Sequence, residues 1–161
     1  MRILSSRCRK FVYTVTTPSP AAVDLDPLSI GTVNRFDECL FLMVGAERED
    51  VRLGSRPVKV IRRTMTKTAA QCVVINGFSH LAHPCDRPHA ETALDVLQTL
   101  TAALQGRGIS VHLMPFGWNK RWTAEVLDGE WEQRVDYLTP SPLSSQHAAG
   151  PTSPMRHHAP I

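Results

Sequence analysis

Cysteine is sparse in this chain. Cys8, Cys39, Cys72 and Cys85 are too scattered for a disulfide scaffold, and no two of them have the short spacing of a zinc-binding pair, so reduced thiols are expected. Long apolar runs are missing as well: nothing approaches the roughly 20 residues of a membrane helix. The start from Met1 to Lys10 carries Arg2, Arg7, Arg9 and Lys10 without the apolar centre of a signal peptide. A soluble, cytoplasmic protein with no membrane association is the expectation. Aromatic residues make up only 6% of the chain, and the net charge of +3 is too small to announce a polyanion-binding protein by itself. No Ser-His-Asp or Cys-His pattern stands out either, which removes the commonest nucleophile machineries.

What is present suffices for one core: 161 residues, 42% of them hydrophobic. One domain is expected over residues 1–138. Residues 139–161, with Pro140, Pro142, Pro151, Pro154 and Pro160, are expected to form a disordered tail. Arg2 to Ser6 and Lys10 to Thr16 read as a β-hairpin, since Phe11, Tyr13 and Val15 alternate with Val12, Thr14 and Thr16. After a Pro-rich loop from Thr17 to Arg35, the apolar run within Glu38 to Ala46 reads as a strand buried on both faces. Val58, Ile61, Met65 and Ala69 recur at helical spacing between Pro57 and Gln71, and Cys72 to Ile75 gives another buried strand, broken by Asn76-Gly77. A second helix begins near Pro88, carries Leu94, Leu97, Leu100 and Leu104 on one side, and ends at Gly106 and Gly108. Ile109 to Met114 and Lys120 to Leu127 read as strands on either side of a bend, while Glu130 to Leu138 stays unassigned. Positive charge is concentrated at Arg56, Lys59, Arg62, Arg63 and Lys67, and arginine outnumbers lysine across the chain, which suits phosphate contacts.

Two stretches carry chemistry. In Met114-Pro115-Phe116-Gly117-Trp118-Asn119-Lys120-Arg121-Trp122, Pro115 fixes φ and Gly117 opens backbone angles closed to other residues, so the bend can hold Lys120 at a set place beside the sheet. A solvated lysine on an ordinary bend is the alternative. The second stretch is Val73-Val74-Ile75-Asn76-Gly77-Phe78-Ser79-His80-Leu81-Ala82, whose His80 segment leaves a strand end, where sheets with helical crossovers place ligand groups. His80, His83, Cys85 and His89 invite a zinc reading, but Pro84 and Pro88 break the run and no second ligand cluster follows, so no metal is expected.

Together, Phe78-Ser79-His80-Leu81 and Pro115-Phe116-Gly117-Trp118-Asn119-Lys120, with a helix between them and a similar chain start, resemble the editing domain of archaeal threonyl-tRNA synthetases. The resemblance covers most of residues 1–138. It implies an α/β fold like that of D-aminoacyl-tRNA deacylases, with a mostly antiparallel sheet of about five to seven strands covered by two main helices. It also implies a homodimer, no cofactor, and hydrolysis of the ester that joins an amino acid to the 3′ end of a tRNA, seryl-tRNA(Thr) being the expected substrate. Lys120 and His80 become the catalytic candidates. Ser79, Phe116, Gly117, Trp118 and Asn119 become substrate contacts, with Phe116 or Trp118 stacking on the terminal adenine. Arg56, Lys59, Arg62, Arg63 and Lys67 are expected to hold tRNA phosphates. The sequence departs from the family at Asn119, where a second aromatic is usual, and at Arg7-Cys8-Arg9, where a His-Ser-Asp sequence is usual; both departures bear on the pocket. Glu132 is the nearest candidate for an acidic residue that the family carries near its end. The chain is expected to be a free-standing deacylase. A protein that binds the aminoacyl ester and passes the acyl group to an amine, or sequesters it, is the alternative, and a dimeric structural module with a dead site is a third reading.

Overall fold

A computed structural model describes residues 1–140; the expected tail lies, from residue 141 on, outside the described residues. The sheet is built around one strand, β1 (Arg2–Pro18), where a hairpin was expected. Arg7-Cys8-Arg9-Lys10 offers no Gly, Pro, Asn or Asp for a tight turn, and the chain runs through it with a β-bulge instead: pairing to the C-terminal strands slips between Cys8 and Lys10. The bulge changes which face the strand buries. Before it Ile3, Ser5 and Arg7 turn inward; beyond it Phe11, Tyr13 and Val15 face the opposite side.

Arg7 is only 4% exposed, and each of its three guanidinium nitrogens donates a hydrogen bond. Nε donates to Thr68 O (3.0 Å), Nη1 to Cys8 O (2.6 Å) and Nη2 to the Glu38 carboxylate. Replacing it by methionine should cost about 3 kcal/mol in urea unfolding, because a carboxylate and two buried carbonyls lose their donor together. A loss under about 1 kcal/mol would mean that solvent reaches this corner and satisfies them.

The remaining strands and α-helices, β6 apart, follow the apolar pattern. They are β2 (Val33–Gly45), α1 (Arg56–Thr68), β3 (Cys72–Gly77), α2 (Ala90–Gln105), β4 (Val111–Leu113), β5 (Trp118–Val126) and β6 (Gln133–Tyr137). β2 starts earlier than its apolar run because its first residues pair with the far half of β1, Thr14 opposite Val33. The unassigned segment becomes β6 by pairing with the first residues of β1, Arg2 opposite Tyr137. Strand order is β4-β3-β2-β1-β5, with β6 also on β1. β1 pairs antiparallel with β2, β5 and β6, and β2-β3 and β3-β4 are parallel. Both helices lie on one face: Val58 and Ile61 of α1 and Leu97, Leu100 and Leu104 of α2 pack with Leu40, Leu42, Val44, Val73 and Ile75. Among the described residues the other face carries no α-helix. Phe11 stacks on Phe41 (centroids 4.3 Å apart), beside Tyr13, Phe36 and Met114, and Leu25 and Trp118 pack at its margin.

Candidate active site

β3 ends as Asn76-Gly77, and both residues belong to the strand rather than breaking it. Val73 and Ile75 point to the helices, so Val74 and Asn76 point to the helix-free face. Lys120 lies within β5, opposite Val15 of β1, and not in the bend itself. Its ammonium crosses to β3: Nζ donates to Asn76 Oδ1 (3.1 Å) and to Trp118 O (2.9 Å). Among the described residues no carboxylate pairs with it. Burial pushes its pKa down to about 8. Of three N–H donors, two are engaged, leaving one for a ligand.

The ammonium lines a polar cleft of about 320 Å³, together with Asn76, Ser79, His80, Gly117 and Trp122. His80 stands in a helical turn, Ser79–Leu81, directly after β3; its ring is exposed and lies 5.6 Å from the Phe78 ring. Phe78, Ser79 and Gly77 also border an adjoining hollow of about 260 Å³ with apolar walls from Val44, Ala93, Leu97 and Phe116. A third hollow, of about 360 Å³ between Met1 and the two helices, is mostly apolar; its one buried carboxylate, Asp50, already accepts from the Met1 ammonium (2.6 Å) and Glu47 N (2.7 Å). Its other polar groups, Thr92, Asp95 and Thr99, stand exposed along α2, whereas the cleft at Lys120 joins a partly buried ammonium to a histidine; that cleft is the candidate site.

The bend is held by the segment that follows β1. Ser19 N donates to Gly117 O (2.9 Å), Val23 N to Phe116 O (3.1 Å), and the Trp118 indole to Val23 O (2.8 Å). Gly117 has φ +75°, and a Cβ there would run into the Ala21 backbone, so position 117 needs glycine for conformation and for space.

The structure brings Lys120, His80, Ser79, Gly117, Trp118 and Asn119 to one cleft and turns Phe116 into the adjoining apolar hollow. The Asn119 side chain donates to Thr17 Oγ1 (2.9 Å). The Arg7-Cys8-Arg9 departure does not reach the cleft: Arg7 sits towards the other end of β1, its N–H donating to Glu132 O (2.6 Å). Glu132 is at that end too, its carboxylate accepting from Trp131 N (3.0 Å), so it is not an acid of this site. Arg56, Lys59, Arg62, Arg63 and Lys67 lie exposed on α1 and line no wall of the cleft. Asn76, Met43, Ser19 and Trp122 are wall residues that sequence reasoning did not assign. Asn76 left a signal, one polar side chain closing an apolar run; Trp122, 42% exposed against Phe11 and Phe41, left one in its spacing of two from Lys120.

Comparison with known proteins identifies the family and the fold. The family model described as the Archaea-specific editing domain of threonyl-tRNA synthetase matches residues 1–130. A threonine–tRNA ligase of Methanobrevibacter smithii is 27% identical over 124 residues, covering 74% of this chain and 20% of the relative. One from Methanocaldococcus jannaschii is 32% identical over 92 residues, covering 53% of this chain and 14% of the relative. The chain thus spans about a fifth or less of the length of these relatives. The D-aminoacyl-tRNA deacylase-like α/β fold is seen again in a structure named c-Myc DNA Unwinding Element Binding Protein, at TM-score 0.61 and 10% identity, covering 86% of this chain and 99% of that one. Matched over most of its length and carrying both motif stretches in one cleft, the chain belongs to the family of the Archaea-specific editing domain of threonyl-tRNA synthetase.

Proposed function

We propose that the cleft hydrolyses the aminoacyl ester at the 3′ end of a tRNA, with seryl-tRNA(Thr) as the preferred substrate. The observation that carries this reading is the Lys120 ammonium: partly buried, unpaired with any described carboxylate, and left with one donor at the mouth of the cleft. An aminoacyl ester is already activated, so catalysis requires a placed water and stabilisation of the oxyanion that forms when water adds to the carbonyl carbon. Lys120 donates to that oxygen. The C–O bond to the ribose then breaks, and the released hydroxyl takes up the proton that the attacking water loses. His80 stands at the rim as a relay for that proton or as a partner for the amino acid. The apolar hollow around Phe116 receives the terminal adenine or the amino-acid side chain, and Trp118, whose indole N–H is engaged by Val23, acts through its ring edge. No cofactor enters this scheme, and a homodimer in the cytoplasm is part of the reading.

Serine and threonine differ by one methyl, worth about 1–3 kcal/mol in a single binding step, which is why a second, hydrolytic selection is useful. The test is a panel of charged tRNAs. Seryl-tRNA(Thr) should be hydrolysed at least about tenfold faster than threonyl-tRNA(Thr). Equal rates would reject the substrate assignment, and hydrolysis of none, with protection of one from spontaneous ester loss, would move the protein to the binding or acyl-transfer reading.

A further inference from the structure

Where β6 meets α1, three cations gather over one indole. The Trp131 ring has the Arg134 guanidinium at 4.3 Å, the Arg63 guanidinium at 5.4 Å and the Lys67 ammonium at 5.8 Å from its centroid. Like charges at this spacing repel unless something of opposite sign sits among them. Among the described residues no carboxylate forms an ion pair with any of the three and no hydrogen bond satisfies their side chains; the neighbouring Glu132 carboxylate instead accepts from Trp131 N (3.0 Å). The Arg134 Nε is buried and has no acceptor at all. A nearby guanidinium shows how this fold treats a cation it means to neutralise. Arg7 has two carbonyls and the Glu38 carboxylate. The Trp131 cluster is instead preassembled and exposed on the Arg63 and Lys67 side, which is the form of a surface that takes its counter-charge from a partner.

We infer that Arg63, Lys67 and Arg134 over Trp131 form a second anion-binding surface, separate from the cleft, that grips phosphates of the tRNA acceptor stem. This rests on the aminoacyl-tRNA reading of the cleft. Its position sets which phosphates are meant. Arg7, bonded to Glu132 beside Trp131, and Val15, opposite Lys120, are about eight residues apart on β1, or about 26 Å at roughly 3.3 Å per residue. The cluster therefore contacts backbone well away from the esterified end. Of the α1 cations named from sequence, Arg63 and Lys67 carry this contact, and Arg134 and Trp131 join them from β6. Arg56 is occupied by Thr139 O.

The double variant Arg63→Glu/Lys67→Glu, with Arg63→Gln/Lys67→Gln as the milder form, separates this surface from the cleft. Binding of uncharged threonine tRNA, followed by fluorescence anisotropy at several salt concentrations, should weaken about tenfold or more, and the log–log salt slope should fall by about two. Hydrolysis of a short seryl-CCA trinucleotide, which cannot reach the cluster, should keep its kcat/KM. Unchanged tRNA affinity and slope would overturn the inference, and so would an equal loss on the trinucleotide, which would place the effect in the cleft or the fold. If the wild type hydrolyses no charged substrate, the deacylase reading fails, yet the binding arm still decides whether this surface holds tRNA.

Discussion

Replacing Lys120 by methionine should slow hydrolysis of the preferred charged tRNA about a hundredfold or more, the scale on which loss of one placed oxyanion donor is felt. Methionine keeps the apolar stem and removes only the charge and its hydrogen bonds to Asn76 and Trp118. His80→Ala should be milder, because an exposed ring at the rim is replaced by water more easily than a partly buried ammonium. Lys120 also costs the fold something. Its pKa of about 8, against 10.5 for a free lysine, corresponds to a penalty on the order of 3 kcal/mol, reduced to about 1–2 kcal/mol by its remaining contact with solvent. The folded chain holds this proton less tightly than the unfolded chain does. The penalty is therefore complete below about pH 8 and is relieved as the pH climbs from there towards 10.5. Lys120→Met should accordingly be no less stable than the wild type at pH 7, and its relative stability should decline between pH 8 and 10 when both proteins are melted side by side. In kinetics the sign runs the other way: if the charged form does the work, the enzymatic rate relative to the uncatalysed one should drop above about pH 8. Wild-type turnover in the methionine variant would make Lys120 a bystander.

Gly117→Ala should destabilise the protein by about 2–4 kcal/mol and lower kcat/KM by at least about tenfold. Two effects combine at this position: φ of +75° strains any residue with a Cβ, and that Cβ would meet the Ala21 backbone, forcing apart the segment bonded through Ser19 and Val23. Gly31 supplies the control. Its φ is +77° and nothing lies within 4 Å of an added Cβ, so Gly31→Ala should cost only the conformational part, about 1 kcal/mol, without touching turnover. Equal losses at the two positions would mean that the contact with Ala21 carries no weight and that Lys120 is placed by β5 alone.

The elements that sequence alone made legible are those whose burial is dictated by their own side chains. α2 declares itself through Leu97, Leu100 and Leu104, and the middle of β2 through an apolar run that ends up buried on both faces. β6 could not be read, because Gln133-Arg134-Val135-Asp136-Tyr137 has little apolar pattern and becomes a strand only by completing the edge of β1. The charged Arg7-Cys8-Arg9-Lys10 run looked like a turn because a buried arginine is intelligible only with Glu38 and Thr68 O beside it. In the site, Lys120 and His80 were reached through motif resemblance. Asn76 and Trp122 were not, since they enter the cleft through the curl of the sheet, and the segment from Ser19 to Val23 acts through backbone groups that no sequence pattern reveals.

The long strand β1 has a consequence for how the protein is made. It leaves synthesis first among the described residues, but its partners on β5 and β6 come last: Phe11 waits for Ala124, and Arg2 for Tyr137. At about 5–20 residues per second, the nascent chain carries Phe11, Tyr13 and Val15 with one edge unpaired for something like 5–25 seconds. β2 can dock in the meantime, yet the other edge stays open, and an apolar unpaired edge is a site where nascent chains join one another. Arg9 and Lys10, both exposed at the bulge, interrupt that edge with charge at its midpoint. The break in pattern that lets one strand serve two faces thus also places charge on the edge that waits longest for its partners, where charged side chains oppose edge-to-edge pairing.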